Sequence, residues 1–388
     1  MKVTLVTEVF PPKAGGAGWS TRALALGLKG AGHDVKVITT SAGPASESGV
    51  PVTRLPGASG RFRRGPMVKI FQDALALEKA VDVIHAQHSL SVLGVMALEP
   101  RPRTVVTVRD HWPVCFWSTR MSRGKLCPAC TTGGMWRCID GRLPALSAPL
   151  AIPYMKWDLA SKQAALRRAE AVIAVSEAIA AELRAVSIPS IHVVPNIVDE
   201  TEVTAIASQA PTIQLPERFV LFVGKLEANK GAKDLIPAYA CSKSRLPLVI
   251  LGSGAEERAI SEEAGRSGIE VVTPGWADRA DVLRAMKRAE ALIFPSTWPE
   301  PLSRVLLEAL ALGTPIAAMD TGGTSELIKD DVSGLLARNV GQLGDALARI
   351  VHDPLVRSRL KEGAAIRARA FSPATLIPRY EAIYRGGN

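Results

Sequence analysis

The chain has 388 residues and is 47% hydrophobic, enough for two domains with full cores, and it has no apolar run of 18 residues that would suggest a membrane-spanning helix. Its formal charge of +10 is concentrated in residues 1–200, which hold 24 Lys and Arg against 15 Asp and Glu. This basic half suits anionic lipid, a phosphorylated substrate or nucleic acid, or it is an ordinary solvated surface; its clusters are Arg61, Arg63, Arg64 and Lys69, and Arg120, Arg123 and Lys125.

The first half alternates short β-branched runs with amphipathic stretches. We predict a helix near 19–30 and strands in VTLVTEV, VKVIT, DVIHA, TVVTV, AVIAVS and IHVVPN. Such alternation predicts a parallel sheet covered by helices on both faces. The opening MKVTLVTEVFPP is a strand and loop rather than a secretory signal, so we expect a cytosolic chain.

The alternation is interrupted at residues 200–216 and then resumes. The interrupting stretch is weakly patterned and holds two prolines, so we place a linker there. After it, FVLFVGKL, PLVILGSG, IEVVTPG, ALIFPS and PIAAMD repeat the pattern. We predict an α/β chain with doubly wound domains at 1–200 and 201–372. Residues 373–388 predict a final helix with an apolar face made of Leu376, Ile377, Tyr380, Ile383 and Tyr384.

Residues 294–323, FPSTWPEPLSRVLLEALALGTPIAAMDTGG, combine a strand end, a helix, a second strand and a glycine pair. Helical spacing of the apolar residues predicts a helix that Pro301 opens and Gly313 ends. Glu300 would lie at its start and Glu308 two turns inside it. Because loops at the carboxyl ends of parallel strands bind ligands in α/β folds, we predict a ligand site here.

Glu300 and Glu308 are poorly spaced for joint hydrolysis. A continuous helix would separate their backbones by about 12 Å along the axis, whereas hydrolytic carboxyl pairs lie about 5 to 10 Å apart. The pair therefore suits two contacts along an extended ligand, with two surface glutamates as the alternative.

Two glycine-bearing loops suit phosphate. FVLFVGKLEANKG places Lys225 and Lys230 around a turn after a strand, although GxxxxGK[ST] is absent and a solvated surface turn is the alternative. Gly15 and Gly16 follow the first strand and open a helix, which lets a diphosphate approach the backbone. VKVITTS lacks the acidic residue that a dinucleotide fold requires, which disfavours NAD.

Together these motifs resemble the retaining nucleotide-sugar glycosyltransferases of group 1, the E-x7-E family with the GT-B fold. The resemblance covers nearly the whole chain and is carried by Lys225, Lys230, EPLSRVLLE at 300–308, GTP at 313–315, GG…E at 322–326, VVPNIVD at 193–199 and AVSE at 174–177. It implies two Rossmann-like domains facing across a cleft. The first would bind an acceptor, the second a UDP- or GDP-sugar, and the C-terminal helix would cross back to the first.

The resemblance also implies residue roles. Glu300 would contact sugar hydroxyls and Glu308 the ribose, while Lys225 and Lys230 would neutralise the diphosphate leaving group. The remaining donor-binding residues would be Gly15, Gly16, Gly252, Pro301, Leu302 and Ser303. Lysines and helix N-termini would stabilise the departing diphosphate, so transfer would need no metal ion. Attack on the same face, assisted by the leaving phosphate, is the usual proposal for such enzymes.

The chain departs from the family pattern at two positions. The family often has a His-Asp pair after the TVVTV-type strand, where this chain has Arg109, Asp110 and His111. We assign these three residues to the catalytic set with Glu300: either His111 replaces the histidine, or Arg109 grips the sugar or an acceptor phosphate. A structural ion pair between Arg109 and Asp110 is the alternative. Lys225 stands where arginine is common, which keeps the charge but loses bidentate geometry.

Four of the five cysteines lie in one insertion at 115–138, with the spacing C-x11-C-x2-C-x7-C. Cys115, Cys127, Cys130 and Cys138 suit a structural zinc ion or an iron–sulfur cluster, or they are free thiols in a basic loop. The apolar stretch 143–157, LPALSAPLAIPYMKW, predicts either a helix that rests on a membrane or a core helix.

We therefore predict a retaining glycosyltransferase of the hexosyltransferase type. It would move a sugar from a UDP- or GDP-sugar to a glycan, lipid-carrier or small-molecule acceptor, as in polysaccharide biosynthesis. It would be cytoplasmic, with peripheral contact at the inner face of the membrane through its basic half. The alternatives are a nucleotide-sugar epimerase of the same fold and a non-catalytic binder of nucleic acid or anionic surfaces. The regular aromatic interleaving of single-strand binders is missing, so we expect no nucleic-acid partner.

Overall fold

The computed structural model describes residues 1–58, 63–78, 80–122, 125–127, 129–139, 142–143 and 148–387. Arg61 and Arg123 of the basic clusters, and residues 144–147, lie outside this set. The chain divides into two compact units, Met1–Ile197 with Pro373–Asn388, and Val198–Ser372. Each unit carries a parallel sheet with helices, so the prediction of two α/β domains is confirmed.

The first unit begins with alternating strands and helices. Its strands are β1 (Lys2–Thr7), β2 (Asp34–Thr39), β3 (Ser46–Glu47), β4 (Val50–Arg54), β5 (Val83–Ala86), β6 (Arg103–Val108), β7 (Met121–Ser122), β8 (Lys125–Leu126), β9 (Ala171–Ala174) and β10 (Ile191–Val193). Its helices up to this point are α1 (Gly16–Gly30), α2 (Arg64–Ala76), α3 (Ser89–Met96), α4 (Thr132–Ile139), α5 (Ala148–Arg167) and α6 (Glu177–Ala185).

The second unit repeats the alternation. Its strands are β11 (Val220–Val223), β12 (Leu248–Leu251), β13 (Val271–Gly275), β14 (Ala291–Phe294), β15 (Ile316–Met319) and β16 (Leu335–Ala337). Its helices are α7 (Glu200–Ala207), α8 (Ala232–Cys241), α9 (Glu257–Ser267), α10 (Arg279–Arg288), α11 (Arg304–Ala311), α12 (Thr324–Leu327), α13 (Val340–His352) and α14 (Pro354–Ala368). The last helix, α15 (Pro373–Tyr384), belongs to the first unit.

Both sheets reverse their strand order at one point. The first has the order β10-β9-β6-β5-β1-β2-β4-β3, parallel except for the β3–β4 pair. The second has the order β13-β12-β11-β14-β15-β16 and is parallel throughout the described strands. The reversals lie between β1 and β5 and between β11 and β14. The carboxyl ends of strands at such a point are where open α/β sheets bind ligands.

Hydrophobic burial explains why the predicted strands form. The four residues of β5, β9, β12 and β14 are all buried, as expected for parallel strands covered on both faces. In the second unit Phe222, Leu235, Tyr239, Ile250 and Leu347 belong to one core cluster. The apolar face predicted for the final helix is buried too, and Ile377 fits against the bare backbone of Gly27 in α1.

The linker prediction is wrong in its first half. Residues 200–207 form α7, whose N-cap Asp199 accepts hydrogen bonds from the N–H groups of Thr201 and Glu202. α7 packs against α10 and α11 of the second unit, so it is part of that unit's helical layer. Among the described helices, none combines the length and apolarity that a membrane crossing needs.

Candidate functional site

The loops after β11 and β14 touch at the reversal point of the second sheet. The N–H of Trp298 donates to the carbonyl of Asn229 at 2.9 Å. Gly231 has φ +72°, and a Cβ atom there would lie 1.8 Å from the carbonyl oxygen of Pro295. Only glycine fits this contact, so Gly231 sets how closely the two loops approach.

This contact brings Lys230 and Glu300 together. Lys230 Nζ lies 2.8 Å from Glu300 Oε1, which also accepts a 2.7 Å hydrogen bond from the Ser296 hydroxyl. Lys230 Nζ lies 4.0 Å from the centre of the Trp298 ring, a cation–π arrangement. Glu300 is 4% exposed, whereas the Lys230 side chain is 25% exposed. The site therefore holds a buried, oriented carboxylate beside a cation that solvent can reach.

The loop after β15 fixes the backbone of Glu300. Gly323 N–H donates to the Glu300 carbonyl at 2.7 Å, and the Thr321 hydroxyl donates to the carbonyl of Ser296 at 3.2 Å. Gly322 has φ +55°, and a Cβ atom there would lie 2.3 Å from the Glu300 carbonyl oxygen. The Thr-Gly-Gly segment thus acts as a backbone support for the carboxylate.

The helix after this loop starts later than predicted. α11 begins at Arg304, and the Ser303 hydroxyl caps it by accepting from the N–H of Leu306. Pro301 and Leu302 precede the helix, so the prediction that Pro301 opens it is wrong. The Ser303 hydroxyl stabilises the first turn by capping it, whereas proline is merely compatible with the start of a helix. The 12 Å estimate for Glu300 and Glu308 assumed a continuous helix and does not apply. Gly313, with φ +65°, follows the helix end as predicted.

Glu308 belongs to a second buried cluster. Its Oε1 accepts from Arg304 Nε at 3.0 Å and from Arg279 Nε at 2.9 Å. Arg279 Nη1 also lies 3.3 Å from Glu202 Oε1. Burial lowers the pKa of Arg304 although Glu308 opposes that shift. The sequence analysis missed these arginines, but the i, i+4 spacing of Arg304 and Glu308 was a usable signal.

Two other predicted donor residues of this unit, Lys225 and Gly252, make contacts of their own. Lys225 is 65% exposed at its side chain, and its Nζ lies 3.6 Å from Glu227. Gly252 presses against the neighbouring loop, because a Cβ atom there would lie 1.8 Å from the carbonyl oxygen of Gly224. Lys225 is thus a solvated charge, and Gly252 is a packing position between the ends of β11 and β12.

In the first unit, Gly15 and Gly16 stand exposed at the start of α1. No neighbouring atom lies within 4 Å of a Cβ built on Gly15. Gly18, by contrast, packs on the backbone of Val9 after β1. The start of α1 is therefore sterically open at Gly15, and the N-terminus of a helix suits an anionic ligand.

Arg109, Asp110 and His111 point to different partners. Arg109 is buried and donates to Asn196 Oδ1 at 3.0 Å and to Gln87. Asp110 accepts from the Trp112 N–H at 2.8 Å, and burial raises its pKa. His111 Nδ1 lies 2.8 Å from Glu182 Oε2. Arg109 and His111 thus contact different groups, while the charge of His111 acts on Asp110.

His88, next to this group, makes the stability of the first unit depend on pH. His88 is the N-cap residue of α3, and its Nδ1 lies 2.9 Å from the Thr7 hydroxyl. Burial, followed by the charge of Arg109, lowers the pKa of His88 to about 3. Because the folded pKa lies below the unfolded value near 6.5, protonation favours the unfolded state. The contribution of neutral His88 to the stability of the first unit is therefore fully present above about pH 6.5, and it is lost as the pH falls toward 3.

We expect His88→Asn to make the free energy of unfolding depend less on pH below about pH 6.5, because asparagine caps a helix without titrating. The slope of unfolding free energy against pH should fall by up to about 1.4 kcal/mol per pH unit between about pH 6 and pH 4. Urea unfolding at a series of pH values measures it. Burial also lowers the pKa of His85, so the part of the pH dependence that comes from His85 should remain in the variant. Parallel curves for the variant and the parent chain would refute the assignment.

The described residues of the cysteine insertion give no support for a metal centre. Cys115, Cys127, Cys130 and Cys138 are free thiols, and among the described residues no group of three or more His, Cys, Asp or Glu is placed to hold a metal ion. Burial, followed by the neighbouring Cys115, raises the pKa of Cys130 to about 11. The zinc or iron–sulfur prediction is therefore unsupported in the described part of the chain, where the four cysteines are free thiols.

Two family models match adjacent parts of the chain. The model described as Glycosyltransferase Family 4 matches residues 14–202. The model described as Glycosyl transferases group 1 matches residues 203–367. Together they account for every residue from 14 to 367.

Two curated relatives are transferases of sugars by name. The chain is 26% identical over 347 residues to alpha-D-kanosaminyltransferase of Streptomyces kanamyceticus, covering 83% of this chain and 88% of that one. It is 36% identical over 170 residues to D-inositol 3-phosphate glycosyltransferase of Saccharomonospora viridis. That second match covers 39% of this chain and 38% of the relative, less than half of either.

Solved structures share the fold. Sucrose-phosphate synthase of Thermosynechococcus elongatus superposes with a TM-score of 0.72 at 20% identity, covering 99% of this chain and 98% of that one. HepE of Anabaena, solved in complex with UDP, also gives 0.72, at 19% identity and coverage of 99% and 100%. At these identities the likeness concerns architecture, and it confirms the predicted GT-B class of two parallel-sheet domains.

Proposed function

Because the chain belongs to the group 1 glycosyltransferases, we propose that it transfers a sugar from a UDP- or GDP-sugar and that its second unit binds this donor. The observation that carries the proposal is the Lys230–Glu300 pair at the reversal point of the second sheet. The lysine offers charge for a diphosphate, and the oriented carboxylate offers an acceptor for sugar hydroxyls. HepE has been solved with UDP and with UDP-glucose, which supports a nucleotide-sugar as the ligand class.

We assign the ribose to Glu308 and the acceptor to the first unit. Glu308 is held by two arginines through Oε1, so its orientation is fixed before a ligand arrives. Arg109 and His111 stay candidates for the sugar or acceptor contact in the first unit. The acceptor is a glycan, a lipid-linked glycan or a small molecule. Neither the epimerase nor the nucleic-acid binder gains support from the relatives named above.

Transfer is proposed to retain the anomeric configuration without a bridging metal ion. Expulsion of a nucleoside diphosphate builds negative charge on phosphate, and Lys230 with the backbone amides of the site supplies the stabilising positive charge. The donor is identified by thermal-shift screening against UDP- and GDP-sugars. The anomeric proton of the product, followed by NMR from the start of the reaction, reports the stereochemistry. An inverted product would refute retention and leave donor binding untouched.

Lys230→Ala should weaken the binding of the donor's nucleoside diphosphate by about 10- to 100-fold, because a charge-assisted contact is lost. Lys225→Ala is the matched control on the same loop. Its side chain is solvated, so we expect less than about a fivefold change. Isothermal titration calorimetry with UDP and GDP measures both variants. Equal effects at the two lysines would show that the loop acts by charge alone and that the pair with Glu300 is irrelevant.

A further inference from the structure

Residues 111–157 differ in charge from the rest of the chain. They contain six Lys and Arg but a single acidic residue, Asp140, so they carry half of the net charge of +10. Half of the large hydrophobic side chains that are exposed in the described part of the chain also lie here; these are Leu126, Trp136, Leu150, Tyr154 and Trp157. One segment thus combines positive charge with exposed apolar surface.

The described part of this segment is packed as one body. Met135 and Ile139 of α4 share a small core with Ile152, Met155 and Leu159 of α5. Arg142 donates to the carbonyl of Met121 in β7 at 3.2 Å, which ties the β7–β8 hairpin to the helices. The exposed hydrophobic side chains of this segment therefore project from a packed structure.

α5 is apolar on two faces. Ile152, Met155 and Leu159 are buried, as the core-helix prediction required. Leu150, Tyr154 and Trp157, spaced i, i+4 and i+7, form a second stripe on the far side and are 83%, 40% and 55% exposed. The Tyr154 and Trp157 ring centres lie 5.7 Å apart. Leu150 and Trp157 do not belong to the core that α5 builds with α4, whereas the Tyr154 ring also meets Phe116, which packs on that core, at 5.9 Å between ring centres.

Cations lie on the same two helices, and one more stacks on the stripe itself. Lys156 lies exposed on α5, and Arg137 lies exposed on α4 beside Trp136. The Arg64 guanidinium stacks over the Trp157 ring at 4.1 Å. Trp and Tyr with flanking Lys and Arg are the combination that settles at the headgroup level of a bilayer.

We propose that this surface, formed by Leu150, Tyr154 and Trp157 with Lys156 and Arg137, docks on an anionic lipid bilayer. α5 would lie in the plane of the interface, its stripe among the headgroups and its cations on lipid phosphates. A protein partner or a second copy would bury the stripe equally well, but neither requires a segment so depleted in acidic residues. The inference goes beyond the proposed transfer and needs no donor or acceptor.

Flotation with vesicles tests the proposal. The full chain should bind vesicles that mix phosphatidylcholine with phosphatidylglycerol, and bind phosphatidylcholine vesicles much more weakly. Leu150→Ser with Trp157→Ser should lower the partition coefficient at least about tenfold. Lys156→Gln with Arg137→Gln should lower it about 25-fold, close to fivefold per charge.

Matched variants in the second unit serve as controls. Trp276→Ser with Leu355→Ser removes side chains that are 71% and 82% exposed, and Arg258→Gln with Arg338→Gln removes the same net charge from exposed positions. Neither should change vesicle binding. Absent binding, equal losses in the controls, or a dimer that Leu150→Ser disrupts would overturn the proposal. UDP and GDP titrations run separately, so a failure of donor binding is told apart from a failure of docking.

Discussion

Replacing Glu300 with glutamine is expected to lower the turnover number by about 100- to 1,000-fold while leaving nucleotide affinity unchanged or higher. Glutamine keeps the shape of the side chain and an oxygen that can accept from Lys230 and Ser296. It removes the negative charge that pairs with Lys230, so the ammonium becomes more available to a diphosphate. Positive charge develops on the sugar during transfer, and the glutamine variant has no carboxylate to interact with it.

The prediction is specific because substitutions at Lys230 and Glu300 should change nucleotide affinity differently. Lys230→Ala should weaken nucleotide binding, whereas Glu300→Gln should not, although the two side chains contact each other. Glu257→Gln, an exposed glutamate in the first turn of α9, is the control for loss of one negative charge from the same unit. Initial rates with saturating donor and calorimetry with the free nucleotide separate catalysis from binding. Full turnover in Glu300→Gln would remove the residue from the catalytic set.

The strands were predictable because burial on both faces leaves a direct sequence signal. The run ALIFPS begins with four buried apolar residues, and VKVIT is interrupted only by Lys36; both form parallel strands. β4 was missed for a physical reason, because it contains Pro51, which weakens a strand signal.

The site was only partly predictable, because contacts between distant loops leave no local pattern. Spacing marked Glu300 and Lys230 separately, but their contact depends on how closely the two loops approach, which Gly231 and the Trp298–Asn229 hydrogen bond set. The arginine contact from Arg279 to Glu308 spans 29 residues and had no motif. The cysteine spacing did bring the thiols near one another, since Cys115, Cys127 and Cys138 all act on the pKa of Cys130, but no metal-holding group is found among the described residues.

Gly231→Ala should destabilise the second unit by at least about 3 kcal/mol, because it combines a backbone clash with an unfavourable dihedral angle. The new Cβ atom would lie 1.8 Å from the Pro295 carbonyl oxygen, and that backbone leads directly into the loop that carries Glu300. Relief of the clash requires the two loops to separate. The Lys230–Glu300 contact should then be lost, so nucleotide affinity should fall together with stability.

Gly268→Ala isolates the part of this effect that comes from the dihedral angle. Gly268 has φ +63°, close to the +72° of Gly231, but no atom lies within 4 Å of its Cβ position. Alanine there should cost only about 1 kcal/mol and leave nucleotide binding intact. For a unit of this size the two variants should differ by about 4 to 8 °C in melting temperature, measured by differential scanning calorimetry of the full chain. Similar losses of stability in both variants would show that the loops are free to separate, and the close approach of Gly231 to Pro295 would then have no part in holding the site together.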